Sequence, residues 1–234
     1  MHVTPVPGGA VGSHPGARLD LTLEERVVLA ARSCVAQRGL EATTVDDIAD
    51  AAGCSRASVY RVFPGGRRTV LRALVDSEVD GLLAGLAAEV DTSPDVATAV
   101  AGAVYSASTR LAAHPALQRL LGSEPGAVLP YISFDGAAPL LARCAAWGRV
   151  HLARFLPDDD AEAVGEWAAR LVLSHLHTPS DLIVLTDPAV VRHLVDTYLL
   201  PGLPGTPGGG AIVLTGRPAA PTEPTAPPCE ETTP

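Results

Sequence analysis

The chain has 234 residues, enough for one sizeable core or two modest ones, and it is 47% hydrophobic but only 4% aromatic, a mixture rich in alanine and leucine that favours helix over sheet. No segment approaches the roughly 18 uninterrupted apolar residues of a membrane span, and no basic and then apolar leader opens the chain, so a cytoplasmic protein without a membrane partner is expected. The net charge of −9 excludes a uniformly basic polyanion binder, yet from Arg18 to Val75 nine arginines face seven carboxylates, against eight facing nineteen elsewhere.

All seventeen basic residues are arginines, whose planar donor fork suits phosphate oxygens and guanine edges. A polyanionic partner would therefore meet the amino-terminal part. Cys34, Cys54, Cys144 and Cys229 are scattered without CxxC spacing, which predicts neither a zinc site nor a disulfide framework. No cofactor and no metal is expected.

Taken in order, residues 1–17 are rich in Pro and Gly and read as a disordered arm, and residues 201–234 as a disordered tail. Between them the helical period recurs. Leu23, Val27, Ala30, Ala31 and Cys34 mark one face of a first helix that Gly39 stops. Thr44, with Asp47 three residues on, reads as a capping box opening a second helix whose inner face is Val45, Ile48, Ala49 and Ala52. Gly53 supplies a tight turn, Ser55 a cap, and Val59, Val62 and Phe63 the buried side of a short third helix ended by Pro64, Gly65 and Gly66.

Two short helices joined by a glycine-bearing turn, with a longer one before them, have the arithmetic of a helix-turn-helix over residues 18–66. With the aliphatic residues inward, Arg56, Ala57, Tyr60 and Arg61 share the outer face and Ser58 its edge. These are groove-compatible groups, because arginine pairs with phosphate or guanine, hydroxyls reach phosphate, and alanine permits close approach.

Residues 67–200 read as a further helical bundle. A long helix over 67–90 precedes one over 94–113, with Ser93 as cap and Pro94 at its first position. A short helix over 115–121 leads into the loop GSEPGAVLPYISFDG, and helices follow over 137–155, 158–177 and 188–200, the last capped by Asp187. The fold class is thus all-α, about nine helices. His175 and His177 sit two apart, so a helix directs them to different faces and joint metal ligation is not expected. No catalytic arrangement of nucleophile, base and orienting group is evident, and the chain is read as a non-enzyme.

The stretch AARSCVAQRGLEATTVDDIADAAGCSRASVYRVFP resembles the DNA-binding domain of the TetR family of transcriptional regulators over residues 23–75. Gly39, Thr43, Thr44, Ile48, Ala49, Ala52, Gly53, Ser55, Tyr60 and Phe63 carry the resemblance in order. The chain departs in having Val35, Cys54 and Val59 where Phe, Val and Leu are usual. It also has Phe63-Pro64-Gly65-Gly66-Arg67-Arg68 for Phe-x-x-Lys, a one-residue insertion that puts Arg67 in the lysine's place. The resemblance implies DNA contacts from Thr44, Arg56, Ala57, Ser58, Tyr60, Arg61 and Arg67. Arg56 and Arg61 are assigned to base edges or nearby phosphates, and Tyr60, Thr44 and Arg67 to positioning on the backbone.

It further implies a repressor that binds a near-palindromic double-stranded DNA operator as a homodimer and leaves it when a small, mostly apolar effector binds the bundle. Tyr105, Trp147 and His151 are candidate ligand contacts among aliphatic helices, with Tyr131 and Phe134 at an entrance. For the dimer interface the expected residues are Val164, Trp167, Ala168, Leu171 and Val172 on one helix and Val191, Leu194, Val195 and Tyr198 on the next. The alternative is a helical small-molecule-binding protein that has lost operator binding.

Overall fold

The computed structural model describes residues 21–203, and the expected arm, the tail beyond 203 and Cys229 lie outside them. Ten α-helices make up the described residues: α1 (Leu23–Arg38), α2 (Val45–Ala52), α3 (Arg56–Val62), α4 (Arg67–Asp91), α5 (Val96–Ala112), α6 (Pro115–Ser123), α7 (Pro125–Ile132), α8 (Ala138–His151), α9 (Asp158–His177) and α10 (Pro188–Leu194). The all-α reading stands, with one helix more than expected.

Local chemistry sets most of the boundaries. Thr22 opens α1 in a capping box with Glu25, and Gly39 closes it at φ 89°. Thr44 and Asp47 form the second box: the Asp47 N–H donates to the Thr44 hydroxyl at 3.2 Å, and the Thr44 N–H donates to the Asp47 carboxylate at 3.0 Å. Gly53 ends α2 in the left-handed conformation (φ 63°, ψ 42°), and Ser55 caps α3 by accepting from the Ser58 N–H at 3.1 Å.

Elsewhere the local reading misplaced an end. Helix α5 is capped by Asp95, which accepts from the Thr98 N–H at 2.7 Å, whereas the Ser93 hydroxyl turns back to the Glu89 carbonyl at 2.8 Å. The expected loop after α6 contains α7, a helix that starts on Pro125 and tolerates an internal proline, Pro130. Its Val128 and Ile132 are buried, so packing overrides the proline and glycine punctuation. After α10 the chain continues through a π turn (Val195–Leu199) and a 3-10 turn (Leu200–Gly202), and Leu203 is buried. Residues 201–203 thus belong to the fold, not to the tail.

Two apolar clusters hold the helices together. One joins Val27, Ile48, Ala49 and Val59 of α1–α3 with Val70, Leu71 and Leu74 of α4, and runs on into Leu120, Val128, Ile132 and Leu140 of α6–α8. Each such fully buried aliphatic side chain contributes about 1.5–3 kcal/mol over leaving it in water. The second cluster gathers Val90, Val100, Val104, Leu152, Val164, Val191 and Val195 from α4, α5 and α8–α10. Where α8 meets α9, Gly148 faces Gly165 so closely that a Cβ on Gly148 would lie 2.5 Å from the Ala161 carbonyl oxygen and 2.9 Å from the Gly165 Cα.

That second cluster corrects the expected dimer interface. Val164, Val191 and Val195 are buried in the protomer's own core, where helix α5 claims them, and they are unavailable to a second copy. Ala168, Leu171, Val172 and Leu194 also pack partly against it. Trp167 is half-buried and Tyr198 is 69% exposed. No helix among the described residues is long and apolar enough to cross a membrane.

Candidate nucleic-acid interface and internal cavity

Helix α3 is seven residues long and buries Val59 completely, with Val62 and Phe63 half-buried beside it. That fixes the opposite side. Arg56, Ala57, Tyr60 and Arg61 are exposed and Ser58 is half-buried at the edge, its hydroxyl 2.9 Å from that of Ser55. Tyr60 keeps 40% of its surface in water and packs its ring against Gly66, where a Cβ would lie only 2.6 Å from the ring. Gly66 also needs its φ of 58°, so the inserted glycine is what lets the chain enter α4 beneath the tyrosine.

The charged groups on this face differ in how they are held. Arg56 pairs with Asp46 of α2 at 2.7 Å and lies over the Tyr60 ring at 5.6 Å. Arg61 and Arg68 are exposed, and among the described residues neither makes an ion pair. The Thr44 hydroxyl donates to Asp47 at 2.7 Å and accepts from its N–H, so Thr44 is exposed but already serves as a cap.

Arg67 departs from its expected role. Its guanidinium turns inward, donating from Nε to the Thr43 carbonyl at 2.7 Å and from Nη2 to the Leu40 carbonyl. The buried Thr43 hydroxyl in turn donates to the Gly39 carbonyl at 2.7 Å. Arg67 therefore clamps the loop between α1 and α2 to the start of α4. The outward cation at that helix start is Arg68, which the reading missed; the offset created by the extra glycine was the signal.

The same loop is tied to the bundle. At the α6–α7 corner, Glu124 accepts from the Glu41 N–H at 2.7 Å and lies against Gly39, whose absent Cβ would overlap the carboxylate. Arg119 of α6 donates to the Ala36 carbonyl at the end of α1. From α4, Arg72 donates to the carbonyls of Tyr131 at 3.1 Å and Gly136 at 2.9 Å, and Arg143 of α8 pairs with Asp80 at 2.7 Å.

Behind these ties lies a cavity of about 740 Å³, walled mainly by aliphatic side chains of α4–α9, a size suited to a small organic molecule. Trp147 and Tyr131 line it, but Tyr105 and His151 do not; the side chain of Phe134 lies outside the described residues. Tyr105 packs in the second apolar cluster, and His151 sits 2.9 Å from the Asp91 carboxylate and stacks on Trp147. Sequence reading looked for large or polar groups and missed the lining itself, which is leucine and valine such as Leu82, Leu86 and Leu117. Cys144 lines it too, and burial pushes its thiol up to about 11, away from thiolate reactivity.

Comparison with known proteins agrees with this architecture. Residues 27–74 match the family described as bacterial regulatory proteins, tetR family. A segment of 52 residues is 40% identical to an uncharacterized HTH-type transcriptional regulator of Mycobacterium tuberculosis, covering 22% of this chain and 27% of that one. The match thus spans about a quarter of that relative's length.

Among solved structures, the TetR family repressor AlkX of a Dietzia species, implicated in biodegradation of n-alkanes, aligns with a TM-score of 0.61 at 19% identity, over 75% of this chain and 92% of that one. The fatty acid degradation regulator FadR of Bacillus halodurans aligns with a TM-score of 0.45 at 18% identity, over 76% and 97%. Residues 27–74 are thus similar to the DNA-binding part of the tetR family of bacterial regulatory proteins, and the fold as a whole is similar to that of a repressor of that family.

Proposed function

We propose that the protein is a homodimeric repressor that binds a near-palindromic operator and is released from it by a small, mostly apolar effector held in the bundle cavity. The observation that carries this reading is continuity. Helix α4 begins against the reading head through Arg67, Val70, Leu71 and Leu74, and the same helix walls the cavity through Leu82 and Leu86. A molecule that fills the cavity would shift α4 and, with it, the separation of two recognition helices.

DNA contact is assigned to Arg56, Ala57, Ser58, Tyr60 and Arg61, with Thr44 beside them and Arg68 in place of Arg67. Two such heads reading successive major grooves on one DNA face would stand roughly 34–36 Å apart, and because both must fit at once a modest change in spacing releases the duplex. For the second copy we assign the outward side of α8 and α9, where Val150 is 70% exposed and Trp167 half-buried, together with Tyr198. The residues 18–66 and 67–200 then act as head and effector domain.

An electrophoretic mobility shift with DNA from upstream of the protein's own gene tests the reading. The expected result is a sequence-preferring complex that weakens steeply with salt. If no such complex forms at low salt, the chain is instead a helical binding protein that has lost its operator.

A further inference from the structure

The reading head closes one end of the cavity. On α4 the wall runs from Leu71 to Val90, about 28 Å of helix at a rise of 1.5 Å per residue. Val90 and Leu152 stand at the far end, in the second apolar cluster. Leu71 and Leu74 stand at the near end, where the wall is completed by Val35 and Leu40, from the back of the head, and by Leu120 of α6. Val35 and Leu40 share one cluster with Val27, Ile48 and Val59, so whatever presses on them presses on the support of the recognition helix.

Two polar bonds bridge the seam between the α6–α7 corner and the head. Arg119 donates to the Ala36 carbonyl, one of the terminal carbonyls of α1 that have no partner within the helix. Glu124 accepts from the Glu41 N–H at 2.7 Å. Although Glu124 stands at the start of α7, its side chain makes no capping bond to that helix and is given over to the head. Helix α6 is therefore both wall and anchor, with Leu117 and Leu120 on the cavity and Arg119 on α1. A group lodged between Leu120 and Val35 would push α6 from α1 and strain both bonds. The lining at this end is aliphatic, and Arg32 of α1 already pairs with Glu78 at 2.5 Å, so the space suits an uncharged chain.

Resting on the reading of this cavity as the effector site, we propose that the effector touches the reading head directly. An uncharged aliphatic segment lodges between α1 and α6, parts the Arg119–Ala36 and Glu124–Glu41 bonds, and frees the head from the bundle. Glu124 is thus a positioning residue for the head, and α4 is one of two paths from cavity to DNA.

The test combines two measurements on the full chain, both made without DNA and so separate from the operator assay. The first is photo-cross-linking with a 1-decanol that carries a diazirine at the end of its chain, followed by peptide mapping. Adducts are expected on the peptide that holds Val35 and Leu40. The second is amide hydrogen exchange with plain 1-decanol, which should make the Glu41 amide exchange about tenfold faster, the loss of one hydrogen bond. Glu124→Ala should show that faster exchange without ligand and little further change with it. Glu124→Gln keeps an acceptor oxygen and should restore the slow rate. Adducts confined to α5, α8 and α9, or a Glu41 amide indifferent to 1-decanol in the wild type, would each overturn the proposal, whatever the variants do. A chain that takes up no 1-decanol at all would sink the effector-site reading itself, and this inference with it.

Discussion

Arg61 near the end of α3 and Arg67 at the start of α4 lie six residues apart, and the structure holds them in opposite ways. Arg61 is exposed and unpaired among the described residues, so Arg61→Ala should leave the melting temperature within about 2 °C, because surface changes without partners stay within about 0.5 kcal/mol. Operator affinity should fall, and if the contact is to phosphate the salt slope should drop by about one. Arg67→Ala strips donors from the Leu40 and Thr43 carbonyls and should cost about 1–3 kcal/mol, read as a lower thermal midpoint with the salt slope unchanged.

Asp47 gives the residue scale a pH signature. Hydrogen bonds from the Thr44 hydroxyl and backbone, then from Arg38, lower its carboxyl from 3.8 to about 2. Because the folded value is depressed, the stabilisation is complete above about pH 4 and disappears as pH falls through about 2. Melting curves of wild type and Asp47→Asn should therefore differ most at neutral pH and converge between pH 4 and pH 2.

At the scale of elements, legibility followed the range of the forces. The end of α1, both ends of α2 and the start of α3 could be read because Gly39, Thr44, Gly53 and Ser55 act on their own neighbours within a few residues. The inward turn of Arg67 depends on a loop more than twenty positions earlier, and no local pattern carries that. Helix α7 escaped notice because its burial outweighs Pro130. On α9 and α10 nearly every face offers aliphatic residues, so periodicity located an apolar side without saying whether α5 or another copy covers it.

The α8–α9 crossing is the element-level feature most open to test. A Cβ on Gly148 would strike backbone of α9, which cannot swing aside as a side chain can, so Gly148→Ala should force the helices apart and cost about 1–3 kcal/mol. Gly102, in α5, has open space at its Cβ position, and Gly102→Ala should be neutral or stabilising by up to about 1 kcal/mol. Urea midpoints of the two variants, compared at equal slope, measure the contrast.

For the whole molecule, the assembly reading is the one to break. Val150→Glu places a carboxylate on the outward side of α8 without touching the core, and sedimentation velocity should show monomers with unchanged helical content. A variant that remains dimeric would move the interface elsewhere, with the exposed Leu182 as the next surface to alter.

The pairing of Arg56 with Asp46 has a bearing on how such a dimer would search a genome. In the free protein the guanidinium already has an anion, so a lone phosphate offers it merely an exchange of like for like, whereas a guanine edge offers two acceptors set for its fork. On the proposed assignment of Arg56 to DNA, the carboxylate would compete modestly with any single phosphate for the arginine and less with a guanine edge.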